Sequence, residues 1–447
     1  MSPMSSSAAT GDAGAATSAP HRPSSRNGKL SIWILAVGEL SASLGVQIAL
    51  FAVPLLAVTR FHASPMQMGI LNLVDSAAAL TLGLLIGATV DRLGGAVAVA
   101  VADLIRCAAV AVVGVTVIVG PSLWALYAGM FVVGAASLMH DAGVSTAVLE
   151  LGGRAPRSLN RANALLRGSS VVSELTGAGL AGVLVVTLGF AASLMSGGLG
   201  FGIAALCALA ALALRPTRAR NRSSAPTRET TETRVRGLSG IADGVGFIWS
   251  HPVLRPLVIS TVQFNFFTAA FQAVFLYYCV HDLGFGAEEL AVVGIAAGVG
   301  GLLGSALVAS ALVNRRQKGW YLASLAAPSA ALIAILLAAG QPGLTALTLV
   351  AAAEFIWALA MVICIVLFNT LRQISSPDRL VGQVAASERV LALAGELPGA
   401  LLGGLVGEAV AVRLPMLAAV CGIVLSIFWL IRIPDWSRTG LEDEVET

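Results

Sequence analysis

The side chains best placed to do chemistry in this sequence are ionisable groups embedded in long apolar runs. Asp75, Glu174, Glu354 and Glu396 fall near the centres of such runs, while Glu39, Asp103, Arg106, His140 and Asp141 lie closer to one end. An ionised group at mid-bilayer costs about 2.5–3.5 kcal/mol on insertion scales, so each needs a reason to be there. Desolvation favours the protonated carboxyl. A carboxyl facing a cavity whose water access alternates can therefore take a proton from one side and release it to the other; it can equally pair with a cationic ligand. Glu174, Glu396 and Glu354 are the first candidates for proton coupling or substrate binding, with Asp75 and Glu39 next. A structural hydrogen bond is the alternative for each. Arg167 and Glu174, like Arg389 and Glu396, stand seven residues apart, about 10 Å along a helix axis. That spacing excludes contact within one helix and predicts cross-helix partners, or arginines that snorkel to the surface.

Such groups need a scaffold that lives in a membrane. Of 447 residues, 57% are hydrophobic and 11% charged, against about 25% charged in an ordinary soluble domain. Runs of about 20 apolar residues, enough to cross the hydrocarbon, open at Leu30, Met66, Ala96, Leu123, Ala162 and Phe190, with a short link around Gly189. A second group opens at Val253, Leu290, Trp320, Leu344, Val381 and Leu414. The spacing of Leu238, Ile241, Val245 and Ile248 predicts a short amphipathic helix lying on the membrane surface before the seventh span. The expected organisation is a disordered cytosolic tail over 1–29 and a six-helix bundle over 30–214. An arginine-rich linker with the amphipathic helix follows over 215–252, then a second six-helix bundle over 253–433 and an acidic tail over 434–447.

With the N-terminus inside, the cytosolic segments carry 21 Lys and Arg residues and the external loops only Arg60 and Arg413. That asymmetry places both termini in the cytosol. The halves also repeat. A shift of 222 positions lays Arg167, Glu174, Leu175, Gly177, Ala178, Leu180 and Gly182 on Arg389, Glu396, Leu397, Gly399, Ala400, Leu402 and Gly404. Two parallel six-helix repeats are the plan of a rocking transporter with its site between them.

Gly87-Ala-Thr-Val-Asp91-Arg92-Leu-Gly94, between the second and third spans, resembles the G-x-x-x-D-R-x-G signature of the major facilitator superfamily. Ala102-Asp103-Leu-Ile-Arg106, Arg161-Ala-Asn-Ala-Leu165, His251-Pro252 and Leu397-Pro-Gly-Ala-Leu-Leu-Gly-Gly404 resemble elements of its macrolide-efflux and enterobactin-exporter branch of drug:proton antiporters. The resemblance implies an all-α membrane protein of twelve transmembrane helices in two pseudo-symmetric six-helix bundles. It gives Gly87, Asp91, Arg92 and Gly94 a gating role on the cytosolic side, with Asp91 accepting the amides of a neighbouring helix N-terminus. Glu150 is the expected partner of Arg92, and Asn314-Arg315 is the counterpart of Asp91-Arg92 in the second half. Asp103 and Arg106 are expected to form a structural ion pair. The seventh and tenth spans are expected to line a central cavity, with Gln263, Asn265, Phe267, Gln272 and Trp357 as its amphipathic surface; packed or lipid-facing aromatics are the alternative. Three departures stand out, the first being that the fourth span, Leu123 to Leu149, has no arginine where many drug antiporters carry one. Gly95 and Ala96 replace the basic pair that usually follows the signature, and Gly177-Ala178-Gly179 lacks the Gly-Pro of the antiporter element.

H-E-x-x-H, G-x-S-x-G and Walker A patterns are absent, which argues against an enzyme and against ATP-driven pumping. The five cysteines and five histidines are dispersed, so no metal or cofactor is expected. The sequence therefore predicts a monomeric secondary transporter of the bacterial inner membrane. Its expected partners are lipid, protons and a small molecule, with no nucleic acid. Proton-coupled efflux of an amphipathic organic compound leads; uptake of a polar nutrient and a non-transporting sensor are the alternatives.

Overall fold

A backbone surrounded by hydrocarbon must satisfy its own hydrogen bonds, and helices do so within a single segment. The computed structural model is accordingly all-helical among the described residues. These are 26–431 and 433, apart from 121, 153–155, 215–236, 309, 315, 378 and 379. The side chains of Asp75, Asp91, Arg167, Glu174 and Asn314, and the whole of Arg315, lie outside the described part, as do most of both tails and of the linker.

The first half comprises α1 (Arg26–Thr59), α2 (Pro65–Leu93), α3 (Gly95–Val119), α4 (Leu123–Gly152) and α5 (Pro156–Ala213). α5 is two crossings joined at Gly189, whose φ of 79° interrupts the helix in a conformation that glycine adopts without steric penalty. The expected link between the fifth and sixth spans is thus a one-residue hinge. The second half follows α6 (Gly237–Ser250). It comprises α7 (Leu254–His281), α8 (Ala287–Val308), the short α9 (Ala311–Asn314), α10 (Gln317–Leu337), α11 (Gly343–Ile374), α12 (Val381–Ala409), α13 (Arg413–Ser426) and the short α14 (Phe428–Ile431). Ten described helical segments are long and apolar enough to cross a membrane. With α2 and the first arm of α5 they make six crossings in each half. The ninth to twelfth spans correspond to α10, α11, α12 and α13.

Lipid offers no hydrophobic drive between helices, so close backbone approach at small residues holds the bundle together. Gly395, Gly399 and Gly403 of α12 recur every four residues and press on the backbone of Val262, Phe266 and Ala270 of α7, which recur with the same period. Gly45 meets Gly197 and Phe201 where α1 crosses the second arm of α5. α6 forms as expected, yet it docks on the second bundle: Ile248 is fully buried and Gly244 sits against Gln383 and Ser387 of α12. His251 then starts α7, its Nδ1 accepting the amides of Val253 and Leu254 at 3.2 Å each. Burial lowers its pKa below the ordinary 6.5, which keeps that nitrogen free to accept.

The two ends of the molecule differ. Gly94, the end of α4 at Gly152, the start of α5 at Pro156 and its end at Ala213 lie at one, here called the linker end; 60–64, Gly189, 282–286 and 410–412 lie at the other, the far end. The halves touch near the far end, where Gly69 of α2 meets Ala400 and Gly404 of α12, and Gly179 and Gly182 of α5 meet Ile295 and Ala291 of α8.

Candidate functional site

α1, α3 and α4 carry ionisable residues at similar depth, and the packing of the first half brings them into register. Gly143 of α4 lies against Val99 and Gly95 of α3, within 3.1 Å of where its Cβ would stand. That close approach places His140 opposite Asp103. His140 Nδ1 is 2.9 Å from Asp103 Oδ1, and its Nε2 is 3.0 Å from Glu39 Oε2. Asp103 in turn pairs with Arg106, whose guanidinium stacks 4.7 Å from the ring centroid of Phe201. Ser170 donates to the other Glu39 oxygen at 2.9 Å. Asp103 and Arg106 therefore pair as an inner segment of a longer chain, Glu39–His140–Asp103–Arg106, linking three helices.

Both ring nitrogens of His140 face carboxylate oxygens, and an imidazole donates from both only as the imidazolium. In that form the four groups sum to zero charge. Without the proton the cluster carries one negative charge in apolar surroundings, an expensive state unless another cation replaces it. Asp103, Arg106 and His140 are buried; Glu39 opens onto a cavity of about 370 Å³ lined also by Ser43, Gln47, Ser137, Asp141, Ser145 and Ser170. Among the described residues no Phe, Tyr or Trp lines it.

A second cavity of about 300 Å³ in the other half is its mate in the repeat. Glu39, Ala42, Ser43, Leu166 and Ser170 become Thr261, Phe264, Asn265, Glu388 and Ala392 at the 222-residue shift. Ser137, His140, Asp141, Val144 and Ser145 become Met361, Cys364, Ile365, Phe368 and Asn369 at a shift of 224. The repeat preserves the positions and changes most of the side chains. Acids, imidazole, hydroxyls and Arg106 line the first cavity; aromatic, thioether and amide groups line the second together with Thr261, Arg389 and Glu388, which is engaged by Arg372 at 2.7 Å. Both cavities lie between the middle of the bundles and the linker end.

Residues 35–387 match the Major Facilitator Superfamily. The chain belongs to that superfamily. It is a transporter rather than an enzyme. It is 27% identical over 398 residues to the multidrug efflux pump Tap of Mycolicibacterium fortuitum, a match spanning 86% of this chain and 91% of that protein. In fold it is similar to a bacterial homologue of the iron transporter ferroportin in an inward-facing state, with a TM-score of 0.68 at 16% identity, covering 90% of this chain and 98% of that one. It is likewise similar to the nucleoside transporter NupG, with a TM-score of 0.66 at 14% identity, covering 91% and 98%.

The superfamily signature occupies the α2–α3 turn. Gly94 has φ 83° there, capping α2 and starting α3. Glu150 Oε1 accepts the Gly95 amide at 3.1 Å, so the acid expected to meet Arg92 caps α3; Arg92 itself is exposed. Gly95 lies so close to Ala147 of α4 that a Cβ would overlap its backbone. The absence of a basic residue at position 95 thus has a steric cause, since a long side chain there has no room.

The remaining candidates fall in different places. Glu396 and Gln272 line a cavity of about 200 Å³ between the halves, with Leu50, Pro54, Asn72 and Met130. Asn265 lines the second-half cavity. Glu354 is half-buried in α11 and makes no hydrogen bond among the described residues. Three expected cavity residues are placed otherwise. Gln263 donates to Gly422 and accepts from Trp429, which ties it to α13 and α14. Phe267 covers Gly422 on the same side. Trp357 is buried in the core of the second half, its ring 5.2 Å from Phe271. Thr261, Asn265, Thr268 and Gln272 recur at helical spacing along one face of α7, and Gln263 and Phe267 lie off that face. The residue that ordering the candidates by acidity overlooked is His140. Its depth, shared with Glu39, Asp103 and Arg106, was the available signal.

Proposed function

We propose that this transporter exports a small amphipathic organic compound bearing a basic nitrogen, in exchange for protons, by alternating access. The observation that carries the reading is the four-residue chain ending at Glu39 on a polar cavity. One positive charge, the imidazolium proton or a ligand amine, neutralises it, and two together do not. Such exclusive occupancy is what exchange requires. The positive-inside asymmetry supports placing the linker end in the cytosol, so a structure joined at the far end faces inward.

In this state Glu39 and the cavity serines meet cytosolic water. Proton release from the cluster makes room for the amine, which pairs with Glu39, while the apolar body of the ligand finds the aromatic cavity of the second half. Rocking of the halves turns the loaded site outward. External protons then reclaim the cluster, and the protonated form returns. Relatedness to a multidrug efflux pump supports the direction of transport.

Ethidium and a panel of lipophilic amines, measured for accumulation in cells with and without the protein, test the reading. Lower accumulation that an uncoupler abolishes is the expected result, and Glu39→Gln should behave as the empty cell while remaining in the membrane. Higher accumulation in expressing cells would instead indicate uptake and reject export.

A further inference from the structure

At the far end one seam between the halves is polar and its mate is not. Glu408, at the end of α12, reaches across to the start of α2. Its Oε2 accepts from Ser64 Oγ at 2.5 Å and from the Met66 amide at 3.1 Å. Ser64 is the N-cap of α2 and Met66 lies in its first turn. A carboxylate from one half therefore caps, and complements the dipole of, a helix in the other. Beside it Gly404 lies against Pro65, Met66 and Gly69, and a methyl on Gly69 would come within 2.6 Å of the Ala400 carbonyl oxygen.

The 222-residue repeat converts this seam into that of α5 and α8. Gly182 takes the place of Gly404, and Ala291 that of Gly69. The local cap is conserved between the two helix starts: the Ser64 amide donates to Gln67 Oε1 at 2.9 Å, and its mate Gly286 donates to Glu289 Oε2 at 2.9 Å. The cross-half acid is not repeated, because Val186 stands where Glu408 would. One seam is thus clasped by charge-assisted bonds, and the other is held by packing, with no hydrogen bond across it among the described residues.

We infer that Glu408 is a gating residue of the transport cycle, a latch that keeps the far end closed by capping α2 across the halves while the α5–α8 seam slides. The inference rests on the alternating-access reading above. Packing of small residues tolerates sliding, whereas the bonds to Ser64 and Met66 must break before the far end opens. The latch therefore sets the balance between states facing the linker end and the far end. It is the far-side counterpart of the gating role expected for the α2–α3 turn at the linker end.

Hydrogen–deuterium exchange on the full-length protein in lipid nanodiscs tests this. Replacing a charged acceptor by a neutral one weakens each bond roughly twofold, so Glu408→Gln is expected to raise exchange around Met66–Gly69 and the end of α12 about tenfold. Opening of the far end must also close the linker end, so amides at the linker ends of α4 and α11 should become more protected. A cap with only a local role leaves those distant amides unchanged, and that outcome overturns the inference, as does no change anywhere. Gly69→Ala wedges the same seam without touching the cap and should produce the same distant protection. Distant protection in Gly69→Ala alone would reject the latch and leave alternating access standing. Its absence in both variants would reject the rocking reading as well.

Discussion

Replacing His140 with glutamine would remove the one group that bridges the two carboxylates of the site. Its ring nitrogens stand 3.0 and 2.9 Å from Glu39 and Asp103, and each bond to an ionised partner is worth about 1.5–3 kcal/mol. A glutamine amide reaches one carboxylate but not both and leaves the cluster one negative charge in excess, so His140→Gln should destabilise the protein by at least about 1.5–3 kcal/mol, the value of the lost bond. His140→Phe keeps the ring volume and loses both bonds, leaving two carboxylates against an apolar ring; breaking a buried pair in this way costs about 3–5 kcal/mol. Thermal unfolding in detergent should therefore rank the wild type above the glutamine variant and the phenylalanine variant last. The functional arm is the initial rate of amine efflux across the histidine range, between about pH 5 and 8. Among the described residues the facing charges are Glu39 from α1, Asp103 and Arg106 from α3 and Asp141 on α4 itself; Ser170 from α5 is uncharged. Wild-type efflux should change across this interval, and His140→Gln should flatten the profile. Equal stability together with an unaltered profile would refute the reasoning, because no proton would then be held at this ring.

Further outcomes follow from other parts of the structure. Glu396→Gln, in the cavity between the halves, should lower the maximal efflux rate without loss of protein from the membrane, measured by initial-rate transport normalised to expression. Gly399→Val would drive a branched side chain into the Phe266 backbone and should destabilise the protein by about 1–3 kcal/mol or more as an overpacked contact, read as a lower melting temperature. His251 loses its capping role on protonation. Its folded pKa lies below the unfolded value, so its contribution is complete above about pH 6.5 and fades as pH falls through the folded value. His251→Asn supplies a cap without a titrating ring and should remove that part of the acid sensitivity of melting.

The scaffold was legible because its cause is local and repeated. Twenty-residue apolar runs, an arginine-rich linker and a 222-residue repeat carrying charges specify helices, halves and their relation. Gly189 also announced itself, as a glycine between two apolar runs too long for one crossing. The site was only partly legible. Glu39 and His140 are 101 residues apart, and only the close approach of α3 and α4 at Gly143 brings the histidine onto Asp103. On α7 the residues Thr261, Asn265, Thr268 and Gln272 form a polar stripe at helical spacing; Gln263 and Phe267 lie off it and serve α13 and α14. The cap that Glu408 offers to α2 joins residues 344 positions apart, and no local pattern encodes it.

Proton movement on addition of ethidium, a permanently charged cation that can pair with Glu39 but carries no exchangeable proton on its charged nitrogen, gives the most direct measurement of exchange at this cluster. Proteoliposomes enclosing a pH-sensitive dye, without any imposed gradient, should show a proton flux opposite to the entry of ethidium for the wild type and none for Glu39→Gln. Ethidium transport unaccompanied by proton movement, or an undiminished proton flux in Glu39→Gln, would contradict the account.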